Sequence, residues 1–117
     1  MNTRHLHSEI LKEGGCSYSL TYGDVAGKKG YAVSIHKDRE TLIPMEDFTT
    51  NDVRNFILEN TDLLASPDKL VGAWIEKGDV YLDVSIRVTS KAEAERLCRL
   101  HGQIAYYDLL NRKTIYI

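Results

Sequence analysis

Residues 69–88, KLVGAWIEKGDVYLDVSIRV, constrain the fold more than any other stretch of the chain. Apolar and polar residues alternate along the second half of this run, and a period of two is that of a β-strand with one buried face. A glycine turn, Lys77-Gly78-Asp79, interrupts the run in the way that joins antiparallel strands. We therefore predict a β-hairpin in which Leu82, Val84 and Ile86 pack in the core. Tyr81, Asp83 and Ser85 are expected to lie on the solvated face.

Two segments have the pattern of amphipathic helices. In residues 49–64, Thr49 and Asp52 have the spacing of an N-cap and its partner, and one stripe holds Val53, Phe56, Ile57, Asn60 and Leu64. In residues 90–102, Ser90 and Glu93 form a capping box, Gly102 follows the end, and the inner stripe holds Ala94, Leu97, Cys98 and His101. Both helices are expected to dock on a sheet.

Shorter alternating runs predict the remaining strands. CSYSLTY and YAVSIH, separated by a glycine-rich loop, are expected to be antiparallel neighbours, and TLIP is a further short strand ended by Pro44. QIAYYDLL and TIYI are the closing strands, joined at NRK. The resulting order, ββ(β)αββαββ, predicts an α+β fold with a mainly antiparallel sheet of about five to six strands and two helices on one face.

The length of 117 residues indicates one folded domain, which we place at residues 16–117. Residues 1–15 have only a short helical pattern, Leu6, Ile10 and Leu11 before Gly14-Gly15, so we expect this segment to be loosely held. The segment lacks the apolar core of a secretory signal, and no apolar run is long enough for a transmembrane helix. The two cysteines, Cys16 and Cys98, are then expected to be free thiols of a cytoplasmic protein.

The charge pattern favours a basic protein partner over nucleic acid. The net charge is −2, and a nucleic-acid binder needs a basic surface. Residues 37–83 nevertheless hold eleven acidic and five basic residues, while residues 84–117 hold three acidic and six basic residues. An acidic middle can steer a charged partner, although solvated faces commonly have such charge blocks as well.

No motif for catalysis is present. The four histidines, His5, His7, His36 and His101, are too dispersed to predict a zinc site, and no cofactor or metal is expected. Asp83 and Asp108 could share an acid–base site if their strands are neighbours, although a solvated sheet face explains both. Cys98 is expected in the core, and Cys16 is the better candidate for a reactive thiol. We therefore expect a non-enzymatic protein.

Seven tyrosines lie mostly on the predicted strands, and adjacent Tyr106 and Tyr107 must point to opposite faces of their strand. Exposed tyrosines on a sheet are typical of interfaces, although tyrosine is also simply a good strand former. Together with the acidic middle, this predicts partner-binding residues as follows: Asp38, Glu40, Glu46, Asp47, Tyr81, Asp83 and Tyr107.

Three stretches cover most of residues 14–117. They are GYAVSIHKDRETLIPMEDFT, DVRNFILENTDLL, and LVGAWIEKGDVYLDVSIRV with AEAERLCRLHGQIAYYDL. Together they resemble small proteins encoded in phages, prophages and conjugative elements. That resemblance implies a protein that binds a host or element-encoded protein, such as a CRISPR-Cas effector, and inhibits host defence. The alternative is a small enzyme or nucleotide-binding domain whose cleft uses Tyr18, Tyr31, Asp83 or Asp108.

The hairpin register gives the first testable prediction. Val84→Asp should abolish folding, because an unpaired charge in a core costs several kcal/mol. Circular dichroism of the variant measures its secondary structure, and urea unfolding measures whether a cooperative folded state remains. A soluble variant that unfolds cooperatively would mean that the register is shifted by one residue.

Overall fold

The computed structural model describes residues 2–117 as an α+β fold of eight strands and four helices. The helices are α1 (Thr3–Glu13), α2 (Thr50–Glu59), α3 (Thr61–Leu64) and α4 (Lys91–Leu100). The strands are β1 (Gly15–Ser19), β2 (Gly23–Asp24), β3 (Tyr31–Ser34), β4 (Thr41–Pro44), β5 (Lys69–Glu76), β6 (Asp79–Val88), β7 (Ala105–Asp108) and β8 (Lys113–Tyr116). Both counts exceed the expected five to six strands and two helices.

The predicted hairpin is present as β5 and β6, and it is the centre of the sheet. The two strands pair antiparallel from Lys69 opposite Ile86 to Glu76 opposite Asp79. The turn residues Lys77 and Gly78 have φ angles of 51° and 80°, as a two-residue hairpin turn requires at both central positions. Glycine meets this requirement without steric cost.

The strand order in the sheet is β2-β1-β5-β6-β3-β7-β8, and all pairings are antiparallel. The expectation that β1 and β3 are neighbours is therefore wrong, because β5 and β6 lie between them. The loop between them contains the two-residue strand β2, which folds back on β1 and leaves β3 free to pair elsewhere. Local alternation predicted these strands but could not predict their partners.

One edge of β6 is shared by two strands. β3 pairs with its second half, Ser34 opposite Ser85, and β4 pairs with its first half, Thr41 opposite Leu82. β4 and β5 are both antiparallel to β6, so they run parallel to each other, and α2 and α3 connect them. In the same way, β6 and β7 are both antiparallel to β3, so they run parallel to each other, and α4 connects them. The result is two interleaved β-α-β units, the split arrangement of mixed α+β domains.

The helices pack on one face of this sheet, as predicted for α2 and α4. One apolar cluster joins α1 and α2 to β5 and β6, and a second joins α4 to β3 and β7. Both predicted N-termini are confirmed: Thr49 N donates to Asp52 Oδ2 over 2.7 Å, and Ser90 Oγ accepts from Glu93 N over 3.3 Å. The carboxylate of Glu93 binds Arg96 instead of completing the second capping box.

The N-terminal helix α1 belongs to the first of these clusters. Its Leu6 and Ile10 are fully buried against the same residues that α2 covers, and Gly14 ends the helix with a φ angle of 79°. Leu11, the third residue of the predicted apolar pattern, is exposed. Loose attachment of residues 1–15 stays a prediction about local stability, and the two buried side chains oppose it.

Candidate functional site

The face of the sheet away from the helices carries small and polar side chains at its centre. Ser17 of β1 lies opposite Gly72 of β5, which lies opposite Asp83 of β6. One row along the strands, Ser85 of β6 lies opposite Ser34 of β3. These five positions form a shallow floor, because none has a bulky side chain.

Gly72 makes the position of Asp83 possible. A methyl group at Gly72 would overlap the Asp83 carboxylate, and its next closest contact would be Ser85 Oγ at 3.3 Å. A glycine inside a strand commonly marks such a close approach. Gly72 within the predicted strand is the sequence signal of this close approach, and the hairpin prediction did not include it.

The sheet curls, and a loop closes one end of this second face. Residues 23–30, which include β2, approach the turn between β7 and β8, where Gly27 N donates to Leu109 O over 2.7 Å. Val25, Ala32, Leu70 and Leu109 form a small apolar cluster at this end. A partly open cavity of about 820 Å³ lies along this curled face, within the range of ligand-binding pockets, and residues of α1 also contribute to its lining.

Asp83 and Ser85 line this cavity and are only 3% and 7% exposed. The prediction that they lie on a solvated face is wrong. Leu82 and Val84 face the helix side as predicted and are fully buried, so β6 is covered on both faces. An alternating pattern shows which residues share a face, but it does not show whether that face is covered by a distant loop.

Burial determines the electrostatics of Asp83. Loss of solvent raises the pKa of its carboxyl to about 6 from the ordinary 3.8, while hydrogen bonds from Ser85 and Ser34 lower it only in part. The Ser85 hydroxyl donates to Asp83 Oδ1 over 3.2 Å. A carboxyl with a raised pKa in a cavity is typical of a functional site.

Aromatic side chains form part of the cavity wall. Trp74 lines the cavity and stacks on Tyr81, with ring centroids 4.9 Å apart and planes 3° apart. Tyr107, half-buried on β7, lines it as well, while its neighbour Tyr106 points into the core beneath α4, as predicted for adjacent residues of a strand. Of the predicted partner-binding residues, the cavity thus brings together Asp83 and Tyr107, and Tyr81 supports its wall.

The other predicted partner-binding residues lie in a different region. Asp38 and Glu40 are exposed beside a surface depression of about 590 Å³, where Arg39 forms an ion pair of 2.9 Å with Asp62. Glu46 and Asp47 are exposed in the turn that follows β4. These four carboxylates are absent from the lining of the cavity, so the predicted set divides into an acidic surface and a buried site.

The proposed pairing of Asp83 with Asp108 does not occur. Asp108 lies opposite Tyr31 on the helix side of the sheet, whereas Asp83 faces the cavity. Asp108 instead accepts hydrogen bonds from the backbone and side chain of Asn111, over 3.1 Å and 2.8 Å, and these lower the pKa of its carboxyl. A shared acid–base site between these two residues is therefore ruled out by their positions.

The cysteines are free thiols, and the histidines are separated. Burial, with nearby carboxylates, raises the pKa of Cys16 to about 12, so this thiol stays protonated and is a poor nucleophile at neutral pH. Cys98, on the buried face of α4, is fully buried as predicted. Within residues 2–117, no three His, Cys, Asp or Glu side chains converge in a way that could hold a metal ion.

Comparison with known proteins found no matching family model, no matching curated protein and no matching solved structure. In the described part of the chain, no helix is long and apolar enough to cross a membrane. The case for a function therefore rests on the cavity and the acidic surface themselves.

The buried carboxyl predicts how stability depends on pH. The pKa of Asp83 is higher in the folded than in the unfolded protein, so stability from this residue should fall as the pH rises from about 4 to about 6. Asp83→Asn should remove this fall and stabilise the protein at pH 7 by on the order of 3 kcal/mol, the equivalent of two pKa units. Urea unfolding between pH 4 and pH 8 measures both effects.

Asp47→Asn provides the matched control, because it makes the same change at an exposed site. It should leave the dependence on pH close to that of the wild type. An Asp83→Asn variant that is less stable than the wild type at pH 7 would show that the buried carboxylate does not lower the free energy of unfolding.

Proposed function

We propose that this chain is a small, non-enzymatic binding module that takes an organic ligand into the cavity on the second face of its sheet. The main support is the burial of Asp83, a carboxyl at the floor of a cavity of about 820 Å³. A buried carboxyl costs stability unless a partner compensates it. Proteins retain such costs mainly at sites of function.

The composition of the cavity supports this proposal. Convergent polar groups surrounded by aromatic walls are the usual composition of a ligand site, and here the polar groups are Asp83, Ser85 and Ser17. Asp108, the predicted acid–base partner of Asp83, faces the other side of the sheet, and the Cys16 thiol stays protonated. Binding therefore fits the arrangement better than acid–base or nucleophilic chemistry.

Fragment binding followed by two-dimensional ¹H–¹⁵N NMR tests the proposal. We expect fragments that bind to shift the amide signals of Ser17, Gly72 and Ser85, which surround Asp83. Ala105→Phe should weaken this binding, because Ala105 lines the cavity and a larger side chain would fill it. Ala65→Phe, the same exchange at an exposed position outside the cavity, is the control.

Two outcomes would contradict the proposal. One is a fragment set, varied in charge and shape, that shifts no amide around the cavity. The other is binding that Ala105→Phe leaves unchanged, since the ligand would then lie elsewhere.

A second candidate function, the binding of a host or element-encoded protein, is supported by the acidic surface. Asp38, Glu40, Glu46 and Asp47 are all exposed and would suit a basic partner, including the nucleic-acid channel of a defence protein such as a CRISPR-Cas effector. The resemblance to proteins of phages and mobile elements favours the same role. Exposed carboxylates are also common on surfaces that bind nothing, so this candidate ranks second.

Charge reversal tests the second candidate. Glu46→Lys combined with Asp47→Lys should reduce several-fold the amount of a basic protein captured from a bacterial lysate, because complementary charge accelerates association. Glu93→Lys, on α4 outside the acidic surface, is the control, and its exposed ion pair with Arg96 is lost in that variant. Glu95 is unsuitable because it accepts a hydrogen bond of 3.0 Å from the Tyr106 hydroxyl, whose ring is in the core. Equal capture by the double variant and the wild type would exclude the acidic surface as the interface.

A further inference from the structure

We infer that the ligand of this cavity is an organic ammonium ion, with Asp83 as its counter-ion. The inference rests on the proposed ligand-binding function and names the chemistry of that ligand. Three properties of the cavity support the inference. Most of its charged side chains are acidic, Asp83 has no cationic partner within residues 2–117, and aromatic side chains line its walls.

The cavity is lined by many more acidic than basic side chains. Its basic residues are Arg112 and His5, of which only Arg112 is always charged. Its carboxylates are Asp24, Glu76 and Asp83 of the strands, with Glu9 and Glu13 of α1, the helix that packs on the other face. A cleft lined mainly by one sign of charge concentrates ligands of the opposite sign, so this cavity favours cations.

Asp83 has no cationic partner of its own. Among residues 2–117, none of the ion pairs between side chains includes it, and the groups that hydrogen-bond to it are the neutral hydroxyls of Ser85 and Ser34. An ionised carboxylate can accept about four hydrogen bonds. A ligand ammonium would supply the opposite charge and further donors, and a charge-assisted hydrogen bond is about twice as strong as a neutral one.

The walls suit an organic cation better than a metal ion. Trp74, Tyr107 and Tyr116 line the cavity, and the face of an aromatic ring attracts a cation through its quadrupole. A metal ion would need several convergent N, O or S ligands, and no such group occurs in residues 2–117. The combination of one buried carboxylate and several aromatic side chains is instead that of a site for an alkyl or aryl ammonium.

A charge series of one molecular shape tests the inference on the wild-type protein. Benzylammonium, benzyl alcohol and benzoate share a ring and differ in charge, and their dissociation constants can be measured by NMR titration at pH 7.5. We expect benzylammonium to bind at least about tenfold more tightly than benzyl alcohol, the value of one charge-assisted hydrogen bond. Benzoate should bind most weakly, and all shifts should be centred on Gly72 and Ser85.

Two variants locate the effect. Asp83→Asn should remove the preference for benzylammonium over benzyl alcohol, while Asp47→Asn, with the same change of net charge, should keep it. If Asp83→Asn does not fold, the charge series on the wild type still decides the question. Raising the salt concentration separates a buried pair from surface attraction, because only the latter is strongly screened.

A free amine and the lysine side chain of a partner share this chemistry. Nα-acetyl-lysinamide, added to the series, distinguishes them: tighter binding than benzylammonium indicates a lysine side chain, and weaker binding indicates a free amine. Equal binding of benzylammonium and benzyl alcohol in the cavity would overturn the inference and leave the proposed function intact. Failure of fragments of every charge to reach the cavity would overturn both.

Discussion

The pairing of β5 with β6 is the constraint on which the rest of the structure depends. Every residue of β5 pairs with β6, so the position of Gly72 opposite Asp83 is set by the hairpin turn at Lys77-Gly78. One face of this hairpin supports the helices, and the other forms the floor of the cavity. A shift of one residue would exchange the two faces and place Asp83 in the apolar core.

The cavity follows from the curl of the sheet around this hairpin. The loop containing β2 contacts the turn after β7, so the two outer parts of the sheet meet at one end and enclose the polar floor. Asp83 and Ser85 lie on this floor and are almost fully buried, and burial raises the pKa of Asp83. Contacts between distant segments therefore cover a polar strand face, and this covered face is where we propose that an organic ammonium ion binds.

Much of the fold could be predicted from local sequence patterns, because turns, caps and periodicity depend on neighbouring residues. The hairpin at Gly78, the helix starts at Thr49 and Ser90 and the helix side of β6 are confirmed. The partners of β1, the pairing of β4 with β6 and the burial of Asp83 depend on contacts between distant segments, and local patterns do not report them. The site was therefore only half predictable: Asp83 and Tyr107 were named, but Gly72, Ser17 and Trp74 were missed as its other members.

The proposed site depends on Asp83 being a buried carboxyl that faces the cavity. Titration of its side-chain carbonyl ¹³C signal by NMR, assigned by comparison with Asp83→Asn, tests this directly. We expect a midpoint near pH 6, in agreement with a pKa that burial raises to about 6. A midpoint near the ordinary 3.8 would show that the carboxyl is solvated, and that the second face of the sheet is open rather than enclosed.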